Sequence, residues 1–337
     1  KRWTTTGCSP RRSLRSSWPP PPPTGPGAGP AAEEAAAGAA EEPPAEQAPA
    51  SKAARPIGIL PSLLRLFLSG VAHEVGESVA AFHDLQFGVK VKGGAEVVSM
   101  SLRDMMANED MSLFQFDMSN AYGSVLRRPL VECARFLSPS LYALVDSIYG
   151  YECPIVGRGV DMVAFSARGL LQGDPLAPVL FCWLVGLVSN RVDRLFAEQY
   201  PGEERVPIVW YIDDASAAVR AGERAEHVAW WMDKFAEVAG SMGISLNKAK
   251  STVNTHGPAM VTTSKTWLDD VRVVDLAKEA GICFGLPFGH PDAVTDVIRR
   301  KMAKVLWATR VVWTTLGDTQ CFSLLYRACL CARVGYD

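Results

Sequence analysis

The stretch SLFQFDMSNAYGS, residues 112–124, decides the fold, because a strand pattern changes there into a helix start. Apolar and polar side chains alternate from Ser112 to Met118, which is typical of a strand with one buried face. Asp117 lies near the end of this strand, and SNAYG then predicts a turn into a helix around residues 127–137. We therefore expect Asp117 to lie at the edge of a sheet.

A second acidic turn is the tetrapeptide YIDD at residues 211–214. Short apolar runs flank it at residues 206–210 and 215–219, so the segment is predicted to be a tight hairpin. If this hairpin neighbours the first strand in one sheet, Asp117 meets Asp213 and Asp214, and convergent carboxylates are suited to magnesium. Taken singly, each aspartate is more often a turn former or a helix cap.

Helical periodicity dominates the remainder of the chain from Arg55 onward. Residues 85–97 interrupt it with a glycine-punctuated loop that carries Lys90 and Lys92, and residues 244–247 resemble a short strand. We expect an α+β fold in which helices back a small antiparallel sheet, made by strands at residues 112–118, 206–212 and 215–219. The expected helices cover residues 59–79, 97–107, 127–137, 139–150, 175–198 and 222–242, and the segment from about 290 onward.

Four motifs, taken together, resemble those of the reverse transcriptases of non-LTR retrotransposons. They are FDMSNAYGSV (116–125), GLLQGDPLAPVLF (169–181), WYIDDA (210–215) and GISLNKAKS (243–251). RPIGIL and LQFGVKVKGGAE are weaker upstream matches, and GICFGLPFGH is similar to the segment that ends the palm of these enzymes. The resemblance extends over residues 55–337 and implies an RNA-directed DNA polymerase, a nucleotidyltransferase built as a right hand of fingers, palm and partial thumb.

The resemblance also implies roles for individual residues. Asp117, Asp213 and Asp214 would be the catalytic and metal-binding acids, with the main-chain carbonyl of Met118 as a further ligand of two Mg²⁺ ions, for which Mn²⁺ can substitute. Other residues would contact the nucleotide: Tyr122 beside the sugar 2′ position, Gln172 and Gly173 in a loop near nucleotide and template, and Lys250 near the triphosphate. Arg55 and, as weaker matches, Lys90 and Lys92 correspond to the fingers region that touches the triphosphate or template phosphates.

Plainer interpretations of these nucleotide-binding residues stay open. Tyr122 is also compatible with a core aromatic, and Gln172-Gly173 with an ordinary turn before a helix. Lys250 and Arg55 are also compatible with solvated surface charges, as are Lys90 and Lys92. For the whole chain, one alternative to a retrotransposon polymerase is an inactive retroelement remnant or a domesticated nucleic-acid-binding protein. Another keeps the enzyme but places it with group II intron maturases or telomerase-type relatives, which use the same palm. An RNA template, a DNA primer and deoxynucleoside triphosphates are the partners that the resemblance implies.

Charge is distributed unevenly along the chain. The formal net charge is -2, which by itself argues against a nucleic-acid partner, because phosphate contacts usually require a basic excess. Residues 299–304 (RRKMAK) are basic, however, and form the best candidate for contact with a duplex backbone, although a solvated helix face explains them equally well. The longest apolar run, Pro175–Val188, is too short to span a bilayer, so no membrane partner is expected.

Both ends of the chain differ from its centre. Residues 1–50, which contain a polyproline run and alanine blocks, are predicted to be disordered, residues 51–290 to form fingers and palm, and residues 291–337 to begin a helical thumb that is cut short. The Arg/Ser-rich start also resembles a transit peptide, so localisation stays open among nucleus, cytoplasm and an organelle. The eight cysteines lack zinc-finger spacing and are expected to be reduced, and the oligomeric state is left undetermined.

Overall fold

The computed structural model describes residues 58–155, 164–220, 223–257 and 271–316, together with residues 320 and 323. These residues all belong to one compact unit, which begins at Pro56. The predictions made for residues 1–50 and for Arg55 lie outside the described residues.

A five-stranded sheet lies at the centre of the described fold. Its strands are β1 (Met111–Met118), β4 (Val209–Tyr211), β5 (Asp214–Arg220), β6 (Leu246–Thr255) and β7 (Arg272–Asp275), in the order β4-β5-β1-β6-β7. All neighbours are antiparallel except β6 and β7, which are parallel. The predicted sheet of three antiparallel strands was therefore incomplete. Two separate hairpins are formed by β2 (Cys153–Ile155) with β3 (Ala164–Ser166), and by β8 (Ala280–Cys283) with β9 (Leu286–Gly289).

Helices surround this sheet, and the fold is α+β with an antiparallel-dominated sheet backed by helices. The long buried helix α6 packs against α1 and α7, and α7 also contacts β5. The bounds are α1 Ser62–Phe82, α2 Gly94–Met105, α3 Ala121–Ser124, α4 Arg127–Leu137, α5 Pro139–Tyr149, α6 Ala177–Gln199, α7 Glu223–Gly240 and α8 Pro291–Leu316. No described helix combines the length and the apolar composition needed to cross a bilayer.

The alternation along β1 separates the two faces of the sheet. Phe114 and Phe116 belong to the main core with the residues of α6 and α7, whereas Leu113 belongs to a smaller core under α2 and the β8–β9 hairpin. Since successive side chains of a strand point to opposite faces, Gln115 and Asp117 lie on the face of Leu113. That face therefore becomes polar toward the end of β1.

Arg127, the first residue of α4, is a buried cation at a junction of several loops. Its Nε donates to the carbonyl of Gly169 at 3.0 Å, and its guanidinium also donates to the carbonyls of Tyr151 and Ser166 and to the Ser166 hydroxyl. The guanidinium carbon lies 5.6 Å from the centre of the Tyr149 ring. One side chain thus ties the β2–β3 hairpin to the start of the 169–174 loop.

We predict that Arg127→Met lowers the free energy of unfolding by about 2–4 kcal/mol, because it leaves one buried and two partly buried carbonyls without their donor. Urea denaturation measures this loss. The neighbouring exposed residue provides the matched control, Arg128→Met, which should change stability by less than about 0.5 kcal/mol. Equal losses in the two variants would contradict the assigned role of Arg127.

Candidate active site

The acidic hairpin and the end of β1 lie side by side in the sheet. Phe116 pairs with Ala215, and Tyr211 pairs with Asp214 across a two-residue turn made by Ile212 and Asp213. Asp117, one residue beyond Phe116, therefore lies at the same end of the sheet as Asp214. The expectation that β1 and the hairpin are neighbours is met.

A bulge in β6 places two further residues beside Asp117. The register of β6 shifts between the pairs Gln115–Thr252 and Asp117–Asn247, so residues 248–251 face a single residue of β1. Within this bulge, the buried hydroxyl of Ser251 accepts a hydrogen bond from the main-chain N–H of Asp117 at 3.1 Å and donates to the carbonyl of Asn247 at 2.8 Å. Bulges of this kind re-aim side chains next to functional sites.

Lys250, also in the bulge, contributes positive charge to the site. Its Nζ lies 3.3 Å from Oδ2 of Asp117, within ion-pair distance. That oxygen is buried and accepts no hydrogen bond among the described residues, so the contact with Lys250 is electrostatic. Lys250, predicted as a nucleotide-binding residue, is thus located in the cleft beside a candidate acid.

Negative charge accumulates around Asp214. Burial of its carboxyl group, followed by repulsion from Asp213 and Asp117, raises the pKa of Asp214 from 3.8 to about 6, although Lys250 opposes this increase. The residue as a whole stays exposed in the open cleft, so solvent screening reduces the energetic weight of the change. The three aspartates therefore interact electrostatically, as perturbed acids at functional sites commonly do.

Convergence of the three carboxylates on a metal ion stays a prediction. Within the described ranges, no three His, Cys, Asp or Glu side chains are arranged to hold one metal ion. Repulsion among like charges opposes such convergence, and the ammonium group of Lys250 provides an alternative partner for Asp117. The donor chemistry nevertheless fits a hard divalent cation: the candidate ligands are carboxylate oxygens, and Oδ2 of Asp117 is a buried oxygen to which no described residue donates a hydrogen bond.

Tyr122 lies in the short helix α3, directly beyond the turn that follows β1. Its ring stacks on Phe181 of α6, with centroids 5.1 Å apart. Burial, followed by the nearby Cys182 and Asp213, raises the pKa of the Tyr122 hydroxyl, which locates this ring beside the acidic hairpin. Tyr122 is thus a packed aromatic ring close enough to Asp213 for the two to interact electrostatically.

Gln172 and Gly173 lie in a loop that is fixed by the hydrogen bonds of the following residue, Asp174. Tyr149 donates from its hydroxyl to Oδ2 of the buried Asp174, and Oδ1 of Asp174 accepts from the N–H of Leu176 at 2.8 Å, just before α6. Gly173 has a φ of 107°, a conformation that favours glycine. The carbonyl of Gln172 accepts from the N–H of Gly58 at 2.6 Å, which connects this loop to the N-terminal described segment.

A cleft of about 410 Å³ extends from the acids along the polar face of the sheet. Its walls are the sheet on one side and the β8–β9 hairpin, with Phe284 and Gly285 at its turn, on the other. The residues that the sheet contributes include Gln115, Asp117, Asp214, Ser216, Lys250, Thr252 and Asn254.

Other basic residues proposed from the sequence have protein partners. Lys90 forms an ion pair with Glu77 at 3.1 Å and contacts His73 at 3.0 Å, so its ammonium faces α1. In α8, Arg299 pairs with Asp296, and Lys301 donates to the carbonyl of Gly285. Lys92, by contrast, is exposed. The four cysteines within the described ranges, Cys133, Cys153, Cys182 and Cys283, are free thiols.

Three residues that support the site escaped sequence reasoning: Ser251, Tyr149 and Gln86. Ser251 and Tyr149 form the hydrogen bonds described above, and Gln86 contacts the acidic turn from a distant segment. Each of them contacts residues that are distant in sequence, and local periodicity does not predict such contacts. The sequence did contain one indication: Gln86 lies in the motif LQFGVKVKGGAE and Ser251 in GISLNKAKS, both of which resemble reverse transcriptase motifs.

Comparison with known proteins gave one family match and several structural matches. Residues 44–289 match the family described as reverse transcriptase (RNA-dependent DNA polymerase). Telomerase from Candida albicans in complex with a TWJ fragment of telomeric RNA is similar with a TM-score of 0.46 and 12% identity, over 81% of this chain and 48% of that chain. Apo telomerase from Candida tropicalis, truncated from its C-terminal domain, gives 0.43 and 13%, over 67% and 45%. The chain thus spans less than half the length of these structures. No curated protein matches the chain.

The raised pKa of Asp214 gives a prediction for the protein in EDTA. Between about pH 4 and 6 the folded state keeps a proton that the unfolded state releases, so the free energy of unfolding falls as the pH rises through this window. Asp214→Asn removes that penalty and should stabilise the protein by about 1 kcal/mol at pH 7.5, after allowance for screening, with the gain vanishing toward pH 4.

Urea denaturation at several pH values measures this gain. Asp110→Asn, at an exposed turn before β1, is the matched control for the loss of one negative charge. A gain from Asp214→Asn that is independent of pH would contradict the assigned repulsion.

Proposed function

This chain belongs to the reverse transcriptase (RNA-dependent DNA polymerase) family, and on that premise we propose that it catalyses RNA-directed DNA synthesis. The observation that carries the proposal is the position of Asp117 and Asp214, at the same end of adjacent strands and in one cleft. The order of the four motifs supports an origin in a non-LTR retrotransposon. An RNA template, a DNA primer and deoxynucleoside triphosphates are the proposed substrates.

In the proposed reaction, the primer 3′-hydroxyl attacks the α-phosphate of the incoming nucleotide and pyrophosphate leaves. Asp117, Asp213 and Asp214, with the main-chain carbonyl of Met118, would hold two Mg²⁺ or Mn²⁺ ions. When bound, these ions neutralise charge on the triphosphate and lower the pKa of the primer hydroxyl. The electrostatic repulsion of Asp214 by Asp213 and Asp117 supports this role, because such binding requires an accumulation of negative charge.

The protein's other groups would orient the nucleotide. Lys250, whose ammonium already lies in the cleft, would turn toward the triphosphate and stabilise charge on the leaving pyrophosphate. Gln172 and Gly173 would present loop backbone to the nucleotide and template, since a residue without a side chain permits close approach. Arg55 remains a sequence-based proposal for contact with the triphosphate, because it lies outside the described residues.

Tyr122 is proposed to select deoxynucleotides. A ring packed on Phe181 beside the acidic hairpin has little freedom to move, so a 2′-hydroxyl on the sugar would collide with it. The same packing gives the ring a structural role, and the two roles make different predictions. Steric selection depends on the ring, whereas a purely structural role would affect all nucleotides alike.

We predict that Asp213→Asn and Asp117→Ala each reduce primer extension by at least about a thousandfold, equivalent to about 4 kcal/mol, because each removes a charged metal ligand. The assay uses poly(rA)/oligo(dT), dTTP and Mg²⁺ or Mn²⁺. Asp110→Asn should retain full activity. Absence of any mutant-sensitive extension by folded wild-type protein that still binds the duplex would favour the alternative of an inactive nucleic-acid-binding remnant.

We predict that Tyr122→Val increases the relative use of rUTP over dTTP by about 10–100-fold, since it removes the ring that meets the 2′-hydroxyl. Tyr122→Phe keeps the ring and should preserve the selectivity of the wild type. The ratio of kcat/KM values for the two nucleotides is the measurement. An equal loss of activity toward both nucleotides in Tyr122→Val would leave Tyr122 with a packing role alone.

A further inference from the structure

The turn that carries Asp213 contains an unfavourable residue. Ile212 has a φ of 60° at the first central position of the two-residue hairpin turn, where glycine is the usual residue. A β-branched side chain is rarely found in this conformation, which persists only where the surrounding structure holds it. Contacts from neighbouring residues must therefore hold Ile212 in this conformation.

Gln86 contacts both main-chain groups of Ile212. Its Oε1 accepts from the N–H of Ile212 at 3.0 Å, and its Nε2 lies 3.4 Å from the carbonyl of Ile212, to which it donates. The same Oε1 accepts from the N–H of Gly88 at 2.9 Å, which fixes the amide in its own loop. Gln86 is only 3% exposed, so water cannot easily replace these hydrogen bonds.

Gly88 provides the space for this contact. A Cβ atom at Gly88 would lie 2.5 Å from both the nitrogen and the Cγ1 atom of Ile212, distances that side chains do not tolerate. The turn therefore fits closely against Gly88, a residue without a side chain, and is hydrogen-bonded to the neighbouring Gln86 amide.

The segment that carries Gln86 is itself fixed to the sheet. The N–H of Trp210 donates to the carbonyl of Leu85, and the N–H of Phe87 donates to the carbonyl of Trp210, both at 2.8 Å. Asp84, just before this bridge, forms a two-point ion pair with Arg205 at 3.0 and 3.1 Å. Gln86 thus belongs to a segment that is hydrogen-bonded to Trp210 of β4. Its side chain reaches Ile212, which follows Trp210 by two residues in the chain.

We propose that Gln86, seated by Gly88, is a positioning residue that holds the strained Ile212 turn and thereby presents Asp213 and Asp214 to the reacting groups. The inference rests on the proposed polymerase function for its catalytic consequence. Whether Gln86 holds the turn can be tested by structural measurements, without an activity assay.

The principal test is Gln86→Met in the full chain, a change that keeps the side-chain length and removes the hydrogen bonds. Hydrogen exchange of the Ile212 amide should accelerate at least about tenfold, because the N–H loses its acceptor. On poly(rA)/oligo(dT), kcat should fall about 10–100-fold, while KM for dTTP should change less than about threefold, because the carboxylates are misplaced but the nucleotide contacts remain.

Two controls separate positioning from general stability. Gln199→Met makes the same change at an exposed position in α6 and should alter neither readout. Val192→Ala removes methyl groups from a fully buried residue of α6 and should destabilise the whole chain without a selective effect at Ile212.

A second pair of variants tests the close contact between Gly88 and the Ile212 turn. Gly88→Ala should reproduce the fast exchange at Ile212 and the fall in kcat, because the added methyl group displaces the turn. Gly70→Ala is its matched control: a Cβ there meets nothing within 4 Å, so activity should be unchanged.

Every outcome of these experiments either supports or overturns the role proposed for Gln86. Unchanged exchange at Ile212 in Gln86→Met, or acceleration spread over the chain as in Val192→Ala, would overturn it. Local acceleration with an unchanged kcat in an active enzyme would also overturn it, because the hold would then have no catalytic consequence. If wild-type protein does not extend primers, the function proposal fails separately, and the exchange data still decide whether Gln86 holds the turn.

Discussion

The pairing of β1 between β5 and β6 is the constraint on which the site depends. Phe114 and Phe116 must be buried under the helices, and strand geometry then directs Gln115 and Asp117 to the opposite face. A shift of one residue would expose the phenylalanines and bury the aspartate in the apolar core. The free energy of core packing and the position of the candidate catalytic acid, Asp117, are therefore fixed by the same register.

Electrostatics opposes what this register brings together. Adjacent strands end in carboxylates, and the raised pKa of Asp214, caused by burial and by its acidic neighbours, reflects the resulting strain. Lys250 relieves part of it, and it reaches Asp117 only because β6 bulges at residues 248–251. A net charge close to zero thus conceals a local excess of negative charge that suits cations.

Local patterns in the sequence predicted the elements whose side chains alternate regularly. The strand at β1, the hairpin at YIDD and the helices α4 to α7 follow from apolar periodicity and turn residues. The extent of β6 did not, because Lys248, Lys250, Ser251 and Thr252 interrupt any alternation, and its partners are distant in sequence. β7 and its parallel pairing were missed for the same reason. Aspartate positions were predictable from the motifs, whereas the conformation of their side chains depends on competing charges.

The residues that support the site share one mode of action. Ser251 binds the main chain of Asp117, Gln86 binds the main chain of Ile212, and Asp174 binds the main chain of Leu176. Hydrogen bonds directed to the backbone fix where each functional side chain begins without occupying its charged end. At Asp117 the result is an Oδ2 that accepts no hydrogen bond from the described residues. In the proposed polymerase site this arrangement is useful, because the scaffold holds its position while Asp117 can exchange Lys250 for a charged ligand.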